Sequence, residues 1–262
     1  MFKSLLIASL ALASLTEASL AQSASSGAAA PIRNIVLVHG AFADGSSYAK
    51  VIPLLTAKGY RVTAVQNPLS SLAADVEATR RAIAMQDGPV ILVGHSWGGM
   101  VISEAGNDPK VAGLVYIAAI VPTAGQSAND VLKPYPPTTG LGNMKPDASG
   151  YLSLTRKGIE EDFVPDIPAA ERELVYVTQG PWNSAALGEQ VANPAWQTRP
   201  SWFIAVDDRI LPADYELAIA KQIGAETTKL AAGHVPMLSQ PRAVADVILD
   251  AAKSATTLAA SR

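Results

Sequence analysis

Apolar positions along this chain fall into two patterns. Some form short runs of aliphatic and β-branched residues. Others recur every three or four positions over longer stretches. Short runs read as strands buried on both faces, and the spaced stretches as amphipathic helices. Runs at 34–38, 61–65, 89–93, 113–118, 201–206 and 226–230 predict six strands. Helical spacing predicts helices over 48–58, 70–86, 100–105, 214–223 and 241–253. In the second of these, Leu72, Val76 and Ile83 form the apolar stripe, and Glu77, Arg80 and Arg81 the outer face. Gly59 and Gly224 stand where the first and fourth helices should stop. Strands alternating with helices imply a parallel sheet covered on both faces, an α/β fold. The rhythm breaks between Pro122 and Pro200, a stretch rich in Pro, Gly and aromatics with no clear strand. A structureless loop of that length does not suit a compact domain, so the stretch is read as a helical cap insertion. Most of its aromatics should form a local core, with one or two lining a pocket. The sheet pattern resumes at Ser201, and the tail from Ser254 reads as frayed.

The first residues carry a different pattern. Lys3 precedes an apolar core at 5–15, too short to span a bilayer as a stable helix, and Ser19-Leu20-Ala21 supplies the small residues of a cleavage site. Residues 1–21 are therefore expected to be a signal peptide, cut after Ala21, and 22–31 a flexible lead-in. The domain that follows, 32–262, is expected to be periplasmic or secreted, with no stable membrane insertion once the signal is removed. With 20 basic and 23 acidic residues and a net charge of -3, the chain offers no electrostatic footprint for nucleic acid. The absence of cysteine removes disulfides, a thiolate nucleophile and Cys-ligated metal. With only three histidines, no metal-ligand cluster forms in sequence. Gly140-Leu141-Gly142 follows no strand and opens no clear helix, so it is not a dinucleotide loop, and there is no P-loop. No cofactor is expected.

Candidate chemistry sits at strand ends. The third strand runs into Gly94-His95-Ser96-Trp97-Gly98, and a helix follows. Strand, serine, helix is the setting of a nucleophile elbow: the serine adopts a strained positive φ, and the flanking glycines let strand and helix close around it. A serine hydroxyl is a weak nucleophile, so a base must take its proton. His234 follows the last strand and suits that task. An acid after the fifth strand would fix the imidazole tautomer. Asp207 and Asp208 both stand there, and pattern alone does not choose securely. Asp208, just beyond the strand, is the favoured one, with Asp207 left as a capping or structural acid. His95 is expected to face away from the site, and His39 is open between a structural role and one near the pocket.

His39-Gly40-Ala41, the elbow, the Asp208 loop and Gly233-His234 together resemble the α/β-hydrolase superfamily, and more closely small bacterial hydrolases related to plant methyl-salicylate-type esterases and hydroxynitrile lyases. The resemblance spans residues 32–253, strong at the motifs and weak in the insertion. It implies a mostly parallel six-stranded sheet of order 2-1-3-4-5-6, with the cap at about 122–200. Strands 1 and 3 then meet at a topological switch point. An oxyanion hole would follow from the backbone N–H groups of Ala41 and Trp97. Val235 follows His234 where the lyases carry lysine, and Gly40 stands where they carry threonine; both lean towards ester hydrolysis. Ser96 argues against the dehalogenases and epoxide hydrolases, which use aspartate. Ala43 replaces the pocket histidine of the plant esterases, so their substrate does not carry over.

The expectation is a serine esterase acting through an acyl-enzyme on small, largely apolar carboxylic esters, with Ser96, His234 and Asp208 as triad. Its partner is the ester substrate, with at most a second copy of the chain as a homodimer. The alternatives are a C–C bond hydrolase or lyase using the same triad, and a non-catalytic ligand-binding homologue.

Overall fold

The computed structural model describes residues 31–261. The expected signal peptide, and the lead-in up to residue 30, lie outside the described residues. Six strands form one sheet: β1 (Asn34–Val38), β2 (Arg61–Ala64), β3 (Val90–His95), β4 (Val111–Ile117), β5 (Ser201–Val206) and β6 (Glu226–Leu230). Their spatial order is β6-β5-β4-β3-β1-β2, with every pairing parallel. In chain terms this is the order 2-1-3-4-5-6. The interior strands β1, β3 and β5 are buried at every position, as β-branched runs between two helical layers require. The edge strands differ: β2 and β6 expose residues and carry Arg61, Glu226 and Lys229. Burying one Val, Leu or Ile side chain is worth roughly 1.5–3 kcal/mol, so the central runs anchor the whole sheet.

The helices follow from their caps and stripes. Leu72–Ala84 starts where the Ser71 hydroxyl accepts from Ala74 N. Gly98–Ala105 is buried along almost its whole length against the sheet. The stretch expected as one helix over 48–58 is two pieces, a 3-10 turn at Gly45–Tyr48 and a short α-helix at Ile52–Thr56. Pro53 has no N–H to continue a helix from upstream, so the helix restarts there. Gly59, at φ +82, ends it. The last helix runs over Pro241–Ala260 rather than fraying at Ser254. Ala251, Ala252 and Ala255 are buried on its inner face, and Thr256 Oγ1 accepts from Ile32 N at 3.2 Å. Those contacts give the extra turns a reason to stay helical. No helix among the described residues is long and apolar enough to cross a membrane.

Between β4 and β5 the chain builds the walls above the sheet. It has helices, the longest being Ala169–Thr178. It also has short antiparallel strands that the pattern did not announce. Met144–Pro146, Tyr151–Leu154 and Trp182–Asn183 pair in one sheet, and Gln126–Ser127 pairs with Gln190–Val191. Strands of two to four residues are too short to establish an alternation of their own. The two ends of this stretch are clasped by Trp196 Nε1, which donates to Pro122 O at 2.8 Å.

Candidate active site

The site is built where β1 and β3 are neighbours. Val38 stands opposite Gly94, so the loop after β1 and the turn after β3 leave the sheet side by side. Their backbones approach to the limit. A Cβ on Gly98 would lie 2.6 Å from Val38 O, and one on Gly40 would lie 2.7 Å from Ser96 Cβ. Ser96 sits at φ +52, in the left-handed region. Such strain persists only where the surroundings over-determine it. Here Ser96 N donates to Ile117 O at 3.0 Å, while Gly99 N and Ile120 N both donate to Ser96 O. The hydroxyl is left to face the pocket.

Ser96 Oγ lies 2.9 Å from His234 Nε2, and His234 Nδ1 lies 2.5 Å from Asp208 Oδ2. With Nδ1–H donating to the carboxylate, Nε2 is free to accept the serine proton. Asp208 also accepts from Ile210 N at 2.6 Å. Burial pushes this carboxyl up, but the His234 ring and the donors around it outweigh burial and hold it below the usual aspartate range. Asp207 stands apart and pairs with Lys229 at 3.2 Å on the exposed side. Geometry therefore separates the two acids that the sequence pattern left close.

The loop carrying His234 is fixed at two points. Gly233 N donates to Asp166 Oδ2 at 2.8 Å. His95 Nε2 donates to His234 O at 2.8 Å, with the two rings 4.8 Å apart. His95, expected to face away, indeed does not line the pocket, yet it holds the backbone of the histidine that does. Burial, and then the neighbouring His234, push His95 down to about 3, so it stays neutral. His39 resolves towards structure. Its Nδ1 donates to Gly40 O and its Nε2 accepts from Asn67 N, which joins the loops after β1 and β2. Burial lowers its pKa and keeps it in the neutral form that both bonds need.

Trp97 is fully buried, and its indole Nε1 donates to Asp75 Oδ2 at 2.8 Å. The other oxygen of Asp75 accepts from Leu69 N at 2.8 Å. Burial pushes Asp75 up to about 6 in spite of both donors. The backbone N–H groups of Ala41 and Trp97 make no hydrogen bond among the described residues, and both residues line the cavity with Ser96 and His234. That cavity holds about 320 Å³, with Phe42, Tyr135, Leu141, Met144, Trp182 and Leu187 among its walls. Trp182 packs on Trp97 at 5.0 Å and on Phe42 at 5.9 Å. The arrangement can pass a proton from a serine hydroxyl to a tethered imidazole beside an apolar chamber. Among the described residues no group of three His, Asp or Glu side chains could hold a metal ion.

Asp75, Asp166 and Glu216 contribute to this frame and were not singled out by sequence reasoning. Asp75 and Glu216 left a signal there: each is an acid inside the apolar stripe of its helix, beside Leu72, Val76 and Thr79 in one case and Tyr215, Ile219 and Ala220 in the other. Asp166 lies in a turn-like stretch with no pattern.

A model of the alpha/beta hydrolase family matches residues 35–247. Pyrethroid hydrolase of Sphingobium wenxiniae is 29% identical over 251 residues, covering 84% of this chain and 87% of that protein. An alpha/beta hydrolase of Aspergillus novofumigatus is 30% identical over 254 residues, covering 84% and 97%. Among solved structures, a pyrethroid hydrolase from Sphingobium faniae superposes with a TM-score of 0.73 at 26% identity, covering 85% of this chain and 98% of that one.

Proposed function

This chain belongs to the alpha/beta hydrolase family, and from that premise we propose that it is a serine esterase acting on small, largely apolar carboxylic esters. The observation that carries the reading is the chain of contacts from Ser96 Oγ through His234 to Asp208, opening on an apolar cavity. Relatives named as a pyrethroid hydrolase and a methylesterase support ester cleavage as the reaction class.

Ser96 Oγ attacks the ester carbonyl carbon while its proton passes to His234 Nε2. The carbonyl oxygen becomes an oxyanion, which the N–H groups of Ala41 and Trp97 stabilise. The C–O bond to the alcohol breaks, and His234 returns the proton to the leaving oxygen. Water then attacks the acyl group on Ser96 through the same base, releasing the acid. Asp208 holds Nδ1–H throughout and balances the imidazolium. The cavity selects substrates by volume and apolarity rather than by charge pairing. The reading includes export: residues 1–21 have the composition of a signal peptide, and N-terminal sequencing of the exported protein should begin at Gln22.

The test is hydrolysis of a chain-length series of p-nitrophenyl esters by the mature protein and by Ser96→Ala. Turnover of short esters that vanishes in the variant is the expected result. Turnover surviving in Ser96→Ala, or none in the wild type, would remove the acyl-enzyme reading and favour carbon–carbon cleavage or ligand binding.

A further inference from the structure

Behind the Asp208 loop, the helix Ala213–Gln222 packs against β5 and turns a glutamate inward. Glu216 is fully buried. Its Oε2 accepts from Val206 N at 2.8 Å, at the end of β5. Its Oε1 is buried and receives no N–H or hydroxyl among the described residues. Because Val206 lies two residues before Asp208, this bond holds the Glu216 carboxyl at the base of the Asp208 loop, close enough for the two acids to act on each other. Two buried carboxyls held this close resist ionising together, because each charge raises the cost of the other.

The groups facing this pair give it little relief. Asp207 adds a further negative charge from the same loop, and it already engages Lys229 of β6. Tyr215 neighbours Glu216, but its hydroxyl is engaged by Val121 N at 2.7 Å. No lysine or arginine among the described residues pairs with Glu216 or Asp208, so His234 is the one basic partner in contact. The distribution of donors decides where the shared proton sits. Asp208 receives two N–H bonds, from His234 and Ile210. Glu216 receives one and has an orphan oxygen. A proton on Oε1 turns that orphan acceptor into a donor.

We propose that Glu216 is a positioning residue that lends its carboxyl O–H to Asp208, so that one negative charge rather than two faces His234. The third hydrogen bond fixes the plane of the Asp208 carboxylate, which in turn aims the imidazole at Ser96. Burial first, and then the charge of Asp208, hold Glu216 well above the usual glutamate range, in keeping with this arrangement. The proposal rests on the serine esterase reading for its kinetic consequence but not for its protonation state.

The experiment compares wild type, Glu216→Gln and Glu216→Leu by pH-dependent ester hydrolysis and by infrared spectroscopy. Glutamine keeps the shape and supplies an N–H in place of the O–H; leucine supplies neither. Glu216→Leu should lose turnover severalfold with little change in KM, and its acidic limb in kcat/KM should move. Glu216→Gln should restore most of that turnover and leave the limb in place. At a pH where ordinary glutamates are ionised, the wild type should show the carbonyl stretch of a protonated carboxylic acid that is missing in Glu216→Gln. An acidic limb displaced to lower pH in Glu216→Gln would mean that a charged carboxylate had been removed, and would overturn the proposal. So would a protonated-acid band that Glu216→Gln leaves untouched. The infrared measurement needs no turnover, so the proposal can fail or stand separately from the esterase reading. It also serves if Glu216→Leu does not fold.

Discussion

Asp75 carries its charge at a cost, and the sign of that cost can be tested. Its carboxyl is shifted from 3.8 to about 6 in the folded protein by burial. Between those values the native state holds a proton that the unfolded chain has released. Stability from this group is therefore greatest below its unfolded value, falls as pH rises towards 6, and stays lower above it. Asp75→Asn should flatten that fall, measured by denaturant unfolding across the same pH range, while keeping an acceptor for the Trp97 indole. At the other acid the expected effect is on rate. Asp208→Asn keeps the shape but disfavours the tautomer that the proposed mechanism asks of His234, and kcat should fall about 10³–10⁴-fold with the melting temperature nearly unchanged. Residues were legible in the sequence where chemistry and position coincide. Ser96 sits in a strand–helix turn, and His234 follows the last strand. The sequence favoured Asp208 over Asp207 without deciding securely, because adjacent residues on a loop point in directions that strand alternation does not dictate.

The elements that hold the site depend on close backbone approach. Gly40→Ala would drive a Cβ to 2.7 Å from that of Ser96. Overpacking of this kind costs roughly 1–3 kcal/mol. Since the displaced atom belongs to the proposed nucleophile, ester turnover should drop more steeply than thermal stability. The C-terminal helix offers a second test. Truncation after Ser254 removes the buried Ala255 and the Thr256 hydroxyl that accepts from Ile32 N. One hydrogen bond and one small buried side chain suggest a loss of about 1–2 kcal/mol, read as a lower melting temperature with unchanged KM. At this scale the sequence was most informative in the sheet. Its apolar runs are continuous because both faces are covered, and the expected strands at 201–206 and 226–230 coincide with β5 and β6. The short antiparallel strands above the sheet escaped notice because Trp182 and its neighbours are held by tertiary packing rather than by local alternation. The final helix also outran its pattern, since alanines give a weak apolar stripe even when buried.

For the molecule as a whole, the cavity is a joint product of two layers. The sheet's loops supply Ala41, Ser96, Trp97 and His234, while the stretch between β4 and β5 supplies Tyr135, Leu141, Met144, Trp182 and Leu187. Filling the upper layer should retune substrate size without touching the lower one. Leu187→Trp is expected to reduce kcat/KM for the longest p-nitrophenyl esters about tenfold relative to acetate. The esters' chain-length profile, measured beside the wild type, checks this. The upper layer leaves one strand of the sheet and returns to its immediate neighbour, and Trp196 ties its exit to its entry at Pro122. That connectivity seats it as a cassette in one socket of the sheet. A lineage can redraft what the enzyme accepts, segment by segment, while the inherited register of the six strands goes on presenting the same serine and histidine.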